Sequence, residues 1–339
     1  MLFRSEIAAL AARIAGDWTG TPVIAIAAHP SVDQLRQLMR AGVVDVVVPP
    51  VYASDLRTAV QHAAQALSRL AAEGPPAAAP AAPGGQVVTV LRAGGGAGAT
   101  SILTQGAVVA ARRKAGRLRI AVLDLDLQFG NAALYLDLEP RATGLPHLIE
   151  DPDRLDGALL SSAMARHASG VDVLAAPGEM LPMEAMTPDF VEALIRVARE
   201  TYDLVLVDLP GAWTDWSYTA LARSDRILLV GQHTVAGVRR AGRQLQTLVH
   251  HNLADKRLQL VMNRFDGGLF QNRKLRDAEQ ALGRKIDFCV PNDFEAVAEA
   301  LNTGTPLAEA SRRHPIVKAL DRLVGPVEPA KADPALRCA

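Results

Sequence analysis

The sequence predicts an α/β fold, a doubly wound and mostly parallel sheet, on three observations. Short apolar runs alternate with stretches of helical periodicity over residues 86 to 325. Most of the apolar runs are continuous in Val, Ile and Leu, as strands covered on both faces require. The first of them, in VVTVLRAGGGAGATS from Val87 to Ser101, breaks into a glycine-rich turn and then opens a helix. Such a turn brings backbone amides and a positive helix end together, and ligands of this fold class sit at the carboxyl ends of the strands.

A chain of 339 residues exceeds one ordinary domain, which predicts one large α/β domain and a smaller one. Lys plus Arg and Asp plus Glu balance at 36 each, so no global field draws the chain to nucleic acid or to an anionic membrane. The two cysteines, Cys289 and Cys338, suggest neither a disulfide framework nor a metal cage and fit a reducing cytoplasm. At the start, Ile7, Leu10, Ile14 and Trp18 share a helical face interrupted by Arg4, Glu6 and Arg13, the pattern of an amphipathic helix and not of a signal peptide. No run of about 18 uncharged apolar residues occurs, which argues against a spanning helix.

Residues 22 to 70 repeat a β-α-β-α rhythm: TPVIAIAAH, VDQLRQLMRAG, VVDVVVPP and SDLRTAVQHAAQALSRL, the last opening at Ser54. This segment resembles the second half of a receiver domain, with Pro49 and Pro50 after the last strand but without the lysine expected there. The acidic pocket and phosphoacceptor of a receiver's first half are also missing, so the segment reads as a docking or dimerising surface. From Ala71 to Gly85 the chain is almost entirely Ala, Pro and Gly, a composition that buries no core and reads as a linker. The expected organisation is a partial receiver-like domain over 1–70, a linker over 71–85, an α/β domain over 86–325 and a tail over 326–339.

Beyond the linker the predicted strands are Val87 to Leu91, Arg119 to Leu123, Val171 to Leu174, Leu204 to Val207, Ile227 to Val230, Leu258 to Met262 and Ile286 to Val290. Helical stretches such as Pro188 to Glu200 and Val235 to His251 separate them.

Three motifs carry chemistry. In a phosphate loop, glycines let backbone N–H groups turn inward, the following helix adds its positive end, and a lysine bridges the β- and γ-phosphates. Gly94, Gly95, Gly96 and Gly98 retain the first two contributions, but Ala99 stands at the lysine position. Losing that charge-assisted bond removes on the order of 1.5–3 kcal/mol, roughly ten- to a hundredfold in affinity. Next, VLDLDLQFG places Asp124 and Asp126 at a strand end, where one carboxylate can hold a magnesium-bound water and the other orient an attacking water. Third, YDLVLVDLPGAW ends a buried strand at Asp208, the position of a Walker-B acid beside a turn able to sense a γ-phosphate. A carboxylate there is costly without a partner, which favours a site.

Taken in order, GGGAGATS, DLDLQFG, VLVDLPG, VMNRFD and VPND resemble the ParA/MinD class of deviant-Walker P-loop ATPases. Within that class the chain looks most like the Flp/Tad pilus-assembly proteins of the CpaE/TadZ type. The receiver-like front, Ala99, the DLDLQFG phrase and the run from NAALYLDLEPRATGLPHLIED to GVDVLAAPG carry that likeness. The resemblance implies ATP and Mg as ligands. It assigns Gly94, Gly95, Gly96, Ala97, Gly98 and Ala99 to the phosphate loop, Thr100 to the magnesium-binding hydroxyl and Ser101 to the neighbourhood of the α-phosphate. It makes Asp124 the first switch aspartate and a Mg ligand, Asp126 the water-positioning catalytic residue of an active site, and Asp208 the Walker-B Mg ligand. Asn263, with Arg264 beside it, matches the adenine-reading position, and Pro291 to Asp293 a second loop flanking the base.

The departures matter equally. Active members carry a signature lysine that reaches the partner's phosphates across a dimer; here that slot is Gly94, and Ala93 replaces the loop's first glycine. Arg92, two positions upstream of Gly94, is the nearest basic residue. With both lysines absent, charge developing on a transferring phosphoryl group loses its usual stabilisation, so hydrolysis is expected to be slow or absent. The resemblance therefore implies an ATP-binding, weakly hydrolysing homodimer that localises a Flp/Tad pilus or type II/IV-like secretion machine. Its implied partners are a secretion ATPase and polar or membrane components, and its implied place is the cytoplasm, at a cell pole or the inner-membrane face. The rival readings are an active partition-type ATPase and a nucleotide-free interaction protein. The basic clusters at 111–119 and 272–285 read as solvated helix faces, not a DNA-binding patch, and the tail from Pro326 lacks a basic amphipathic helix.

Overall fold

The computed structural model describes residues 23–28, 30–40, 42–52, 55–60, 62–63, 84–113, 118–141, 144–253, 257–266 and 271–324. The predicted N-terminal helix, Ser54, most of the Ala/Pro/Gly stretch and the tail lie outside them. The chain divides into two compact units, Met1–Ala82 and Pro83–Ala339.

In the first unit, β1 (Val23–Ile26) and β2 (Val43–Val47) pair in parallel and are joined by α1 (Val32–Arg40). Leu38 of α1 packs on Val43, with Val23, Ala25 and Val46 around them. Residues 55–60 and 62–63 are helical, and His62 Nδ1 lies 2.8 Å from Asp45 Oδ2.

The second unit is an eight-stranded sheet in the order β10-β9-β8-β3-β7-β4-β6-β5. Its strands are β3 (Gln86–Arg92), β4 (Ile120–Asp124), β5 (Ala165–Arg166), β6 (Val171–Leu174), β7 (Leu204–Asp208), β8 (Arg226–Gln232), β9 (Arg257–Phe265) and β10 (Phe288–Pro291). All neighbours pair in parallel except β5, which runs antiparallel to β6. The parallel, doubly covered sheet expected from the Val/Ile/Leu runs is present: all five residues of β4 and of β7 are buried. Alternation along each strand splits the core into two layers. Leu123, Val207 and Leu229 belong to one layer, with Phe190, Trp216 and Leu248; Val122, Leu206 and Leu228 belong to the other, with Ile102, Val108 and Leu320.

Several strand ends differ from the sequence expectation. β8 and β9 run past their apolar cores because their ladder continues to the pair Gln232 and Asn263. β10 starts at Phe288 and not at Ile286, whose amide instead donates to Glu279 Oε1 at 2.9 Å. β5 was not predicted; two residues are too few to show a period. Gly84 and Gly85, the end of the expected linker, are docked: Gly85 donates its amide to Arg199 O at 2.8 Å.

The helices of this unit are α2 (Ala99–Arg113), α3 (Leu145–Glu150), α4 (Gly157–Ala163), α5 (Pro188–Thr201), α6 (Asp215–Ala222), α7 (Val235–His250), α8 (Gln271–Leu282), α9 (Phe294–Thr303), α10 (Leu307–Ala310) and α11 (Pro315–Leu323). Local chemistry sets many of their starts. Thr187 caps α5 through Phe190 N, Thr214 and Ser217 form a reciprocal capping box on α6, and Thr234 caps α7 through Gly237 N. Among the described residues no helix is long and apolar enough to cross a membrane.

Candidate functional site

β3, β7 and β4 are adjacent, and their carboxyl ends carry Arg92, Asp208 and Asp124. Asp208 is the ladder partner of Val90 on one side and of Asp124 on the other. Counting by twos from Val90, Leu206 and Val122, which share one core layer, puts all three side chains on the face covered by α2. Asp126 joins them from the loop after β4. The acids are sealed from solvent, Asp124 at 1%, Asp126 at 2% and Asp208 at 0% exposure.

Arg92 bridges this cluster. Its Nη1 donates to Asp126 Oδ2 at 2.9 Å and its Nη2 to Asp208 Oδ2 at 3.3 Å. The Asp126 carboxylate is otherwise engaged by its own loop, since Oδ1 accepts from the amides of Gln128 and Phe129. Asp124 accepts from the amides of Asp126 and Ala132, and a Cβ at Gly130 would lie 2.6 Å from its Oδ1, so only glycine fits there. Burial, followed by the neighbouring Asp208 charge, raises the Asp124 carboxyl to about 7. Burial also raises Asp208, against the opposing pull of Arg92 and Thr100.

The glycine-rich turn runs from β3 into α2. Gly96 and Gly98 take φ of +72° and +82°, the left-handed region that glycine enters without strain. Two strand-end amides hold the loop from behind: Gln232 Nε2 donates to Gly96 O at 2.7 Å, and Asn263 Nδ2 to Ala97 O at 2.9 Å. The first N–H groups of an α-helix have no intrahelical acceptor, so those of α2 are donors suited to an anion, while within the loop the Ala97 amide already donates to Gly94 O.

A cavity of about 460 Å³ opens over this loop. Of the loop and strand-end residues singled out in the sequence, Gly94, Gly96, Ala97, Gly98, Ala99, Thr100, Ser101, Asn263, Arg264, Pro291 and Asp293 line it; Gly95 does not. Asp124, Asp126 and Asp208 lie behind it, with Arg92 between. At the far end Asp293 is engaged structurally: its carboxylate caps α9 through Ala296 N and pairs with His314 at 3.1 Å.

The residues fit a hard cation held jointly with phosphates. Thr100 Oγ1 donates to Asp208 Oδ2 at 2.5 Å, which leaves the hydroxyl lone pairs for a metal. Asp208 Oδ1 is buried with no hydrogen-bond partner, an orphaned acceptor that a cation or its water would satisfy. Among the described residues, no group of three or more His, Cys, Asp or Glu side chains is arranged to hold a metal unaided.

Some contributors carry no sequence motif. Arg240 of α7 lies against the loop, so that a Cβ at Gly94 would come within 2.7 Å of its Cδ. Gln244, one turn on, accepts from Trp213 Nε1 at 2.6 Å and donates to Arg92 O at 3.5 Å, tying the loop after β7 to the end of β3. The run VRRAGRQ records only that α7 is basic; which arginine faces the loop depends on how that helix packs.

No family model matches the chain. The septum site-determining protein MinD of Thermotoga maritima is 23% identical over 195 residues, 56% of this chain and 70% of MinD. Among solved structures, a ParA family ATPase from Chlorobium tepidum aligns with a TM-score of 0.63 and 23% identity, covering 70% of this chain and 98% of that one. MinD of Pyrococcus horikoshii, solved with Mg-ADP, aligns at 0.59 and 16% identity, covering 70% of this chain and 94% of its own. The chain has the ParA/MinD P-loop NTPase fold, and 56% of it is similar in sequence to MinD.

Proposed function

We propose that the chain is an ATP- and Mg-binding, weakly or non-hydrolysing ParA/MinD-like scaffold that dimerises and localises a Flp/Tad pilus-assembly machine. The observation that carries the nucleotide part is the cavity over the glycine-rich turn, lined by Thr100, whose hydroxyl is bonded to Asp208 with its orphaned Oδ1. The Mg-ADP of the Pyrococcus horikoshii MinD structure supports the same ligand class.

Backbone amides of the loop and the N-terminus of α2 bind the phosphates, and Thr100 and Asp208 hold the cation. A bound Mg would neutralise charge between the β- and γ-phosphates. Asp126 is the residue that the resemblance assigns to orienting water, and its oxygens are committed to Arg92 and to two backbone amides. Among the described residues no lysine lines the cavity. A committed Asp126 and a missing lysine both favour binding over turnover.

The pilus role rests on the sequence resemblance. In the first unit, Ile26, Met39, Tyr52 and Val60 are exposed, apolar side chains of the kind a docking or dimerising surface uses. Calorimetric titration with ATP and Mg tests the binding; absence of heat and of any thermal shift at millimolar ATP would sink it. Sedimentation with and without ATP tests dimerisation. Co-purification with the Flp/Tad secretion ATPase tests the assembly role, which fails if the two do not associate in either nucleotide state.

A further inference from the structure

Three carboxylates converge behind the phosphate loop, and burying like charges is costly unless a cation accompanies them. Among the described residues Arg92 is the cation paired with them, to Asp126 at 2.9 Å and to Asp208 at 3.3 Å. Its side chain is 18% exposed and lines the cavity, so the guanidinium stands as a partition between the acids and the space for phosphates. A guanidinium has more N–H donors than the two used on the acids, and the buried Arg92 Nε has no partner. Gly211 lies alongside the stem, where an added Cβ would come 3.7 Å from Arg92 Cδ.

We propose that Arg92 is the resident cation of this site: it supplies against Asp126 and Asp208 the charge that a divalent ion otherwise brings, and it faces the phosphates, so nucleotide affinity depends only weakly on Mg. The proposal rests on the nucleotide-binding reading above. Arg92 and a metal do not exclude each other, because Arg92 and Thr100 share Asp208 Oδ2 while Oδ1 stays free. The guanidinium reduces how much of the acid charge remains for a metal to neutralise. It also offers the phosphates a cation that Ala99 does not.

Calorimetric dissociation constants for ATP and ADP, each measured in Mg and in EDTA, test this. The wild-type protein is expected to change by about threefold or less between the two buffers, Arg92→Ala by about tenfold or more, and Arg92→Lys to stay near the wild type. Removing one partner of a buried pair can unfold the protein, so Arg92→Ala/Asp126→Asn, which removes one of the two acid charges left without Arg92, is measured alongside. Nucleotide binding with the same Mg-to-EDTA ratio in the wild type and in the arginine-less variants overturns the resident-cation role alone. No binding by the wild type in either buffer overturns the nucleotide reading and this inference together.

Discussion

Asp124 and Asp208 stand opposite one another in the β4–β7 ladder, both sealed from solvent at the sheet's carboxyl edge. The Asp124 carboxyl is raised to about 7, first by burial and then by the Asp208 charge, from an ordinary 3.8. Between those values the folded chain holds a proton that the unfolded chain has released. Stability therefore falls as pH rises from about 4 to about 7, and the whole decrement is present above that range. Urea unfolding at pH 5 and pH 8 is expected to show the wild type less stable at the higher pH. Asp124→Asn should flatten the slope, with an effect on the order of a few kcal/mol. A variant slope equal to the wild-type slope contradicts the assignment.

Ala99 lines the cavity at the start of α2. Ala99→Lys should restore the charge-assisted bond to phosphate and tighten ATP about ten- to a hundredfold. Calorimetry reads the change directly, and unaltered affinity would mean that the loop does not hold phosphate in P-loop fashion.

Asn263 donates to Ala97 O from inside the core, at 9% exposure, so its amide supports the loop itself. Asn263→Ala is expected to weaken ATP and GTP by the same factor, on the order of tenfold, because the lost contact shapes the phosphate end. A selective loss of ATP would instead favour base reading. Gly98→Ala should be more damaging: the new Cβ would run into Asn263 Nδ2 and meet a φ of +82°. Thermal shift with and without ATP separates loss of fold from loss of binding.

Trp216 is 2% exposed in the core layer opposite α2, and its Nε1 donates to Met183 O at 2.9 Å. Trp216→Ala leaves both a cavity and an unpaired carbonyl, which should cost about 3–5 kcal/mol in chemical denaturation. Nucleotide affinity, measured where the variant stays folded, should not change, since the residue lies on the far face of the sheet. A loss below about 1 kcal/mol would contradict the packing described.

The legible parts of the site were local ones. Gly94 to Ser101 read as a phosphate loop because strand, glycines and helix start are contiguous, and all of them but Gly95 line one cavity in the structure. Asp208 read as a buried acid because an apolar run ends on it, and it is fully buried. Asn263 and Asp293 were less legible, because the same side chains also have local and structural uses. One holds the loop carbonyl of Ala97; the other caps α9 and pairs with His314. Arg240 left no trace beyond a basic helix, since helix rotation and packing bring it to Gly94.

A parallel, doubly covered sheet, a glycine-rich turn without the lysines of a P-loop, and acids at two strand ends were all legible along the chain. Each of these is written in contiguous residues through periodicity, backbone freedom or the cost of a buried charge. That Arg92 faces the acids is a product of packing. Its partners Asp126 and Asp208 lie 34 and 116 positions away and become neighbours because the strand order places β7 beside β3 and β4 on the far side of β7. Strand order is set by how whole helices cover the two sheet faces, so no local pattern records which carboxylates one strand-end arginine meets.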